Sequence, residues 1–208
     1  MKQEWRKNEK NLYLPGQQPE LLMVPRMKFF MIKGQGNPNG EDFSRRVEML
    51  YSLAYTVRMM PKKGVTPDGY EEYTVYPLEG IWDLAEAGRQ QKKLNKEELL
   101  YTLMIRQPDF VTPEVAALTM DMAGKKNPHP LLGDIVFDPW EDGLSVQMLH
   151  VGSYDDEPAS FSRMQAFIDQ HNLQRTSFSH REIYLSDPRK VEPAKLKTVL
   201  RVQVQRKD

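Results

Sequence analysis

One short segment, HREIYLSD at residues 180–187, combines three side chains whose chemistry suits a binding or catalytic site. The segment alternates in the manner of a β-strand, in which every second side chain lies on the same face. His180, Glu182 and Tyr184 therefore share one face, with about 7 Å of backbone between each and the next. A carboxylate in such a place can activate or orient a water molecule, or it can neutralise a bound cation.

The other face of this segment carries Ile183 and Leu185, and these apolar side chains are expected to pack on helices. Glu182 is then expected on the side away from the helices. From the residues alone, that side is either solvent or the wall of a ligand cleft. In the first case Glu182 is an ordinary exposed glutamate of an edge strand, paired with a nearby Arg or Lys.

The elements that must position this segment occur twice in the chain. Residues 27–55 and 146–173 each read as an apolar strand, a glycine, a polar turn and an amphipathic helix, and both contain the triplet Phe-Ser-Arg. Strand-favouring residues follow each helix, at 70–84 in the first case and at 180–187 and 197–205 in the second.

This repetition predicts an α+β fold in which residues 1–208 form a single domain. Two strand-helix-strand-strand (SHS2-like) repeats, at about 27–84 and about 144–205, would form a pseudo-twofold sheet with a central ligand cleft. Asp155 or Asp156 is expected to cap the second helix, with Pro158 in its first turn. Between the repeats, about 95–126 is predicted to be a helical connector that prolines break into two.

Composition excludes several classes of function. The 208 residues include 29 Lys plus Arg and 29 Asp plus Glu, so the net charge favours neither nucleic acid nor an anionic membrane as partner. The chain has no cysteine, and no apolar run long enough for a signal peptide or a membrane span. We therefore expect a soluble cytoplasmic protein.

Metal and cofactor sites are not expected either. His129, His150, His171 and His180 show no metal-ligand spacing, and GQGNPNG at 34–40 lacks the GxGxxG pattern of a dinucleotide-binding loop. Large apolar side chains are abundant, with three Trp and twelve Met, and they suit an adaptable apolar pocket as well as an ordinary core. The candidates for ligand contact besides His180 are Trp82, Tyr76, Trp140, Phe178, Tyr55 and Met148.

Several motifs carry a resemblance to a known family. LYLPGQQPELLMVP, FFMIKGQGNPNG, YPLEGIW, GSYDDEPASFSRMQAFI and HREIYLSDPRKVEPAKLKTVLR resemble the stand-alone GyrI-like small-molecule-binding family along nearly the whole chain. That resemblance implies two SHS2-like units around a central cleft, with the glutamate of the last motif, here Glu182, in the pocket. It also makes Trp82 of YPLEGIW the strongest aromatic candidate.

Part of that family resembles cyclopropanoid cyclohydrolases, which detoxify DNA-alkylating natural products by opening a strained three-membered ring with water. The resemblance implies Glu182 as the base or water-orienting group and Tyr184 as a hydrogen-bond donor to the conjugated carbonyl. Glu157 is a second candidate carboxylate, although an acid in the first turn of a helix is also expected from the helix dipole alone.

A binding module without chemistry is the alternative, because a carboxylate and aromatic rings also suffice to hold a lipophilic cation. Only about 25 residues precede the first predicted strand, too few for a DNA-binding helical domain. Inhibition of a topoisomerase by protein contact rests on the family name alone. The natural ligand, the oligomeric state and a lid at 61–69 stay open.

Overall fold

A computed structural model describes residues 2–89 and 95–207, and their packing divides them into two units. The first unit comprises residues 2–4, 27–78, 84–89 and 95–140. The second comprises residues 5–26, 79–83 and 141–207, and therefore takes its N-terminal segment and part of one strand from earlier in the chain.

Helices and strands alternate irregularly along the chain, which confirms the α+β class. The helices are α1 (Trp5–Asn8), α2 (Lys10–Tyr13), α3 (Glu41–Met59), α4 (Glu86–Arg89), α5 (Pro113–Lys126) and α6 (Glu157–Gln170). The strands are β1 (Glu20–Val24), β2 (Met27–Gln35), β3 (Leu78–Leu84), β4 (Leu99–Gln107), β5 (Val136–Trp140), β6 (Gly143–Val151), β7 (Leu173–Arg175), β8 (His180–Tyr184) and β9 (Lys197–Arg206). Within the described ranges, no helix is both long and apolar enough to cross a membrane.

In the first unit, β2 lies between β4 and β5 and pairs antiparallel with both. Phe29 and Phe30 are neighbours on this strand and both are fully buried, so each face of the strand is covered. Helix α3 contacts β2, β4 and α5, and its Leu50 and Leu53 are fully buried. The predicted strand and helix in residues 27–55 are therefore confirmed.

In the second unit, five strands pair antiparallel in the order β1, β6, β9, β8, β3, and β7 pairs with the far end of β9. Helix α6 lies on one face of this sheet. Its Met164 and Ile168 pack in one buried cluster with Met148 of β6 and Leu200 of β9. The predicted strands at 180–187 and 197–205 correspond to β8 and β9, which confirms both.

The N-terminal segment covers the other face of the same sheet. The backbone oxygen of Leu12 accepts a 2.7 Å hydrogen bond from Arg201, and that of Asn11 accepts a 2.7 Å bond from Gln147. The Tyr13 hydroxyl donates to Glu79 at 3.5 Å. Both faces of the sheet are therefore covered by other parts of the chain. The sequence pattern of β8 predicted packing on one face and left the other to solvent or a ligand cleft.

The prediction of a helix between residues 95 and 107 is wrong. Residues 96–98 form a single 3-10 turn, residues 99–107 form β4, and the α-helix of this region, α5, begins at Pro113. LLYTLMIRQ is a short and nearly continuous apolar run, which fits a strand buried on both faces as well as a helix, so its periodicity alone does not decide. Pairing of this segment with β2 decides for the strand.

Residues 70–84 are only partly a strand. Before β3 begins at Leu78, the single described pairing is an isolated bridge between Gln3 and Tyr73. Pro77 is consistent with this start, since proline has no N–H to donate. Both units contain a strand followed by a helix, but the two SHS2-like repeats, their boundaries and the central cleft stay predictions.

Candidate functional site

Strand β8 brings its three predicted side chains into direct contact. His180 Nε2 lies 3.0 Å from Glu182 Oε1, and the Tyr184 hydroxyl donates to Glu182 Oε2 at 2.8 Å. Because an ionised carboxylate only accepts hydrogen bonds, Nε2 of His180 carries the hydrogen in this arrangement. The predicted shared face of His180, Glu182 and Tyr184 is therefore confirmed.

The expectation that Glu182 faces away from the helices is wrong. Glu182 pairs with Leu200 in the sheet, and Leu200 pairs with Met148, so all three side chains lie on the face that α6 covers. Glu182 is only 8% exposed, and β8 lies between β9 and β3, which excludes the exposed edge-strand glutamate. Its neighbour Arg181 occupies the opposite face, which is also buried.

Tyr184 is held between two partners. Trp82 Nε1 donates a hydrogen bond to the Tyr184 hydroxyl at 2.7 Å, and this hydroxyl in turn donates a hydrogen bond to Glu182. Burial raises the pKa of Tyr184 well above its ordinary value, and the nearby charge of Glu182 raises it further. Tyr184 is therefore a neutral donor whose single hydrogen is already engaged with Glu182.

Gly80 leaves the room that this arrangement needs. It lies opposite Glu182 in the pairing of β3 with β8. A Cβ at this position would lie 2.8 Å from Trp82 Nε1 and 3.2 Å from the Tyr184 hydroxyl. The indole and the phenol therefore meet above a position where no side chain fits without displacing them.

Glu157 is the second carboxyl of the site and the first residue of α6. It is 7% exposed, and its Oε1 atom is buried without a hydrogen-bond partner. One oxygen of Glu157, one of Glu182 and a ring nitrogen of His180 all lie within 4.8 Å of one another. The structure thus brings together the two acids that the sequence analysis considered separately.

Burial raises the pKa of Glu157 to about 9, and the charges of Glu182 and Asp155, together with a hydrogen bond to Glu182, contribute in the same direction. In the part of the chain that the structure describes, neither Glu157 nor Glu182 forms an ion pair with Arg or Lys. Two buried carboxyl groups this close cannot both be ionised without such a partner. The pair therefore holds one proton at neutral pH, and that proton resides on Glu157.

Aromatic rings surround the two acids. Phe161 of α6 meets the His180 ring edge to face, with centroids 4.7 Å apart. Tyr154 meets Tyr184 edge to face, with ring centroids 6.2 Å apart. Burial raises the pKa of Tyr154 to about 12. Neither ring was among the site residues predicted from the sequence. Their only local signal is their position in SYDDEPASF, on either side of Glu157.

Five further residues were predicted to contact a ligand. Met148 belongs to the core cluster under α6, and Phe178 is 79% exposed on the loop before β8. Tyr76, Trp140 and Tyr55 belong to the first unit, where Tyr76 is buried beneath Arg106, Trp140 ends β5 and Tyr55 is half exposed on α3. Ligand contact by these five residues stays a prediction.

Glu157, His180 and Glu182 also have the chemistry of metal ligands. Sequence spacing gave no sign of this set, because Glu157 comes from a different element. If His180 Nε2 became a metal ligand, it would lose its hydrogen bond to Glu182. The expectation of a site without metal or cofactor stays a prediction.

Comparisons with known proteins agree with the motifs. A model of the GyrI-like small molecule binding domain matches residues 17–205. No curated protein matches the chain.

Solved structures are similar over nearly the full length. The crystal structure of a hydrolase from Listeria innocua is 36% identical with a TM-score of 0.88, and it covers 98% of this chain and 100% of its own. A second L. innocua hydrolase is 38% identical with a TM-score of 0.91, covering 99% and 100%. The C-terminal domain of EcmrR, at 15% identity and a TM-score of 0.54 over 91% and 98%, shares the fold alone.

Proposed function

The chain belongs to the GyrI-like small-molecule-binding family, and we propose that it is a hydrolase that opens the cyclopropane ring of lipophilic DNA-alkylating compounds by adding water. The observation that carries this proposal is the pair of buried carboxyl groups, Glu157 and Glu182, which holds one proton. Two similar proteins of L. innocua are described as hydrolases, which supports the class of reaction.

The distance between the two carboxyl groups favours joint action on one water molecule. Oxygens of Glu157 and Glu182 lie within 4.8 Å of each other, which is close enough for a single water to contact both. If Glu157 instead protonated the carbonyl at the far end of a conjugated ligand, it would have to lie farther than this from Glu182, the base that activates the water. We therefore assign both acids to the attacking water.

In the proposed step, a water molecule replaces the hydrogen bond between Glu157 and Glu182. Glu182 then removes a proton from this water, while the protonated Glu157 donates a hydrogen bond to the water oxygen. The water oxygen forms a bond to the least hindered ring carbon. One carbon–carbon bond of the cyclopropane breaks, and its electron pair moves through the conjugated system to the carbonyl oxygen, which then takes up a proton. The sum is the addition of one water molecule, with no oxidant or cofactor required.

Tyr184 takes a different role from the one that the family resemblance suggested. Its only hydrogen is donated to Glu182 at 2.8 Å, so it is not free to stabilise a carbonyl of the ligand. We assign to Tyr184, with Trp82 behind it, the orientation of the Glu182 carboxylate. Trp82 is 6% exposed, so we assign it an indirect role: it holds the Tyr184 hydroxyl in place by its hydrogen bond.

The test is turnover of a compound that contains a spirocyclopropane conjugated to a carbonyl, followed by chromatography and mass spectrometry in ¹⁸O-labelled water. The wild-type protein should add one labelled oxygen, and both Glu182→Gln and Glu157→Gln should lose that activity. Glu192→Gln is the matched control, because Glu192 is exposed and paired only with Lys195. Equal turnover in all four proteins would exclude the carboxyl pair from the reaction.

The second candidate function is non-catalytic binding of lipophilic cations, as in a multidrug-binding or effector-sensing module. The observation that favours it is a buried acid pair among aromatic rings that has no Arg or Lys partner in the described residues. Binding of tetraphenylphosphonium should then strengthen as the pH rises through about 9, because Glu157 gains a charge. Hydrolysis by the pair should instead weaken over the same range, so one pH series separates the two functions.

A further inference from the structure

His150 ties together the two ends of the segment that carries Glu157. Its Nδ1 lies 2.9 Å from the hydroxyl of Ser160 on α6, and its Nε2 lies 3.0 Å from the backbone oxygen of Ser153. His150 is at the end of β6 and 4% exposed, and Ser160 is 7% exposed. Glu157 lies between the two attachment points.

We propose that His150 and Ser160 are positioning residues, which hold the first turn of α6 so that Glu157 stays buried against Glu182. The importance of this for activity rests on the proposed hydrolase function, whereas the positioning itself does not. Neither residue contacts the carboxyl groups in the structure, so both act through the backbone of residues 153–160.

The chemistry of the three groups fixes the direction of the two hydrogen bonds. A backbone oxygen only accepts, so Nε2 of His150 donates to Ser153. In the neutral ring Nδ1 then has a free electron pair, and the hydroxyl of Ser160 donates to it. One imidazole thus satisfies a loop carbonyl and a helix hydroxyl at once, and no other described side chain joins Ser153 to Ser160.

Two further contacts hold the backbone at the start of this segment, one at Gly152 and one between Ser153 and Asp156. Gly152 adopts φ +147, and a Cβ there would lie 3.3 Å from Nε2 of His150, so the ring packs directly on this glycine. The Ser153 hydroxyl donates to Asp156 at 2.7 Å, while the predicted capping bond from Asp155 or Asp156 to a backbone N–H of α6 is absent. His150 therefore fixes the start of α6 through a loop carbonyl and a helix side chain, and not through the backbone N–H groups that a helix cap binds.

Loss of either hydrogen bond should allow water to reach Glu157. The titratable groups near Glu157 are His180 and Glu182 from β8, with Asp155 and Tyr154 from its own loop. Burial is the largest cause of the raised pKa of Glu157, so partial hydration should lower that pKa even though the acidic neighbours stay in place.

The test is a ¹³C NMR titration of the glutamate side-chain carboxyl groups in the full-length labelled protein, with Glu157→Gln used to identify the Glu157 signal. Ser160→Ala should lower the midpoint of Glu157 by about one pH unit or more. Ser162→Ala is the matched control, because Ser162 is two residues away on the same helix, is exposed, and donates its hydroxyl hydrogen to the backbone oxygen of Pro158. Ser160→Thr, which keeps the hydroxyl, should restore the wild-type midpoint.

An unchanged Glu157 midpoint in Ser160→Ala would overturn the positioning role. If Ser160→Ala does not fold, Ser160→Cys provides the same comparison, since it fills the space with a much weaker hydrogen-bond donor. The titration needs no substrate. A lowered midpoint in Ser160→Ala, together with a wild-type protein that hydrolyses no cyclopropane, would therefore support the positioning role while rejecting the hydrolase function.

Discussion

Strand β8 carries buried charge on both of its faces, but only one face contains charges of both signs. On the face covered by the N-terminal segment, Arg181 pairs with Glu79 at 2.6 Å and with Asp142 at 2.9 Å, and Arg201 pairs with Asp142 at 3.3 Å. On the face covered by α6, Glu157 and Glu182 lie together without Arg or Lys among the described residues.

The difference indicates separate roles for the two faces. Two guanidinium groups and two carboxylates neutralise each other, which is the usual condition for charge in a protein interior. Two acids that share one proton retain an unsatisfied oxygen and a raised pKa, which destabilises the fold but suits proton transfer. We therefore expect mutations on the first face to affect folding and those on the second to affect function.

The largest effect on stability is expected for Arg181→Leu. Glu79 and Asp142 would each lose a buried partner, and breaking a buried ion pair in this way destabilises a protein by about 3 to 5 kcal/mol. The free energy of unfolding from urea denaturation measures it. Arg189→Leu is the control, because Arg189 is 84% exposed and its pairing with Asp187 should contribute less than about 1 kcal/mol.

Glu182→Gln should have the opposite effect to Arg181→Leu: a large loss of activity with little loss of stability. We expect the turnover number for a spirocyclopropane substrate to fall about 10²- to 10⁴-fold, the usual contribution of a general base. Urea denaturation should show a change of less than about 1.5 kcal/mol, since the amide can still accept the bond from Tyr184. A large loss of stability with unchanged turnover would place Glu182 with the structural charges of the other face.

Glu157→Gln should stabilise the protein in a pH-dependent manner. The folded chain keeps its proton up to a pKa of about 9, whereas an unfolded glutamate releases it near 4.5, so wild-type stability should fall across that range as the pH rises. The variant lacks this dependence. Its melting temperature should therefore exceed that of the wild type by several degrees at pH 8.5, and the gap should shrink toward pH 4.5. A constant gap would mean that Glu157 is ionised in the folded state.

Tyr184→Phe should have the smallest effect of the four. It removes the hydrogen bond from Tyr184 to Glu182 and the one from Trp82 to Tyr184, so we expect about a tenfold lower turnover number with little change in KM. Steady-state kinetics measures both constants. A loss as large as that of Glu182→Gln would mean that Tyr184 contacts the substrate directly.

Sequence patterns could predict the composition of the β8 face but not its surroundings. Alternation is a local property, so it placed His180, Glu182 and Tyr184 together. Which face a helix covers depends on pairing with distant strands. The apolar Ile183 suggested the wrong side, because the charged Arg181 beside it is neutralised by Glu79 and Asp142, which no local pattern reveals.

Local sequence patterns also fail to predict the acid pair and β4. Glu157 resembles any acid in a first helical turn, and only the packing of α6 on the sheet brings it to Glu182. Residues 99–107 are mostly apolar, and the neighbours Leu103 and Met104 are both fully buried, so apolar side chains lie on both faces of β4. Such a run has no period that separates strand from helix. In both cases the deciding information lies in contacts between residues far apart in the chain.

Gly80 offers a route to engineering. Because a methyl group there would press between the indole of Trp82 and the phenol of Tyr184, Gly80→Ala changes how firmly Glu182 is held without altering any ring or acid. A series of small substitutions at this one position would change in steps how firmly Tyr184 and Trp82 hold the Glu182 carboxylate. Variants of graded strength could then be compared in a single protein, each with the same proton-bearing Glu157 opposite.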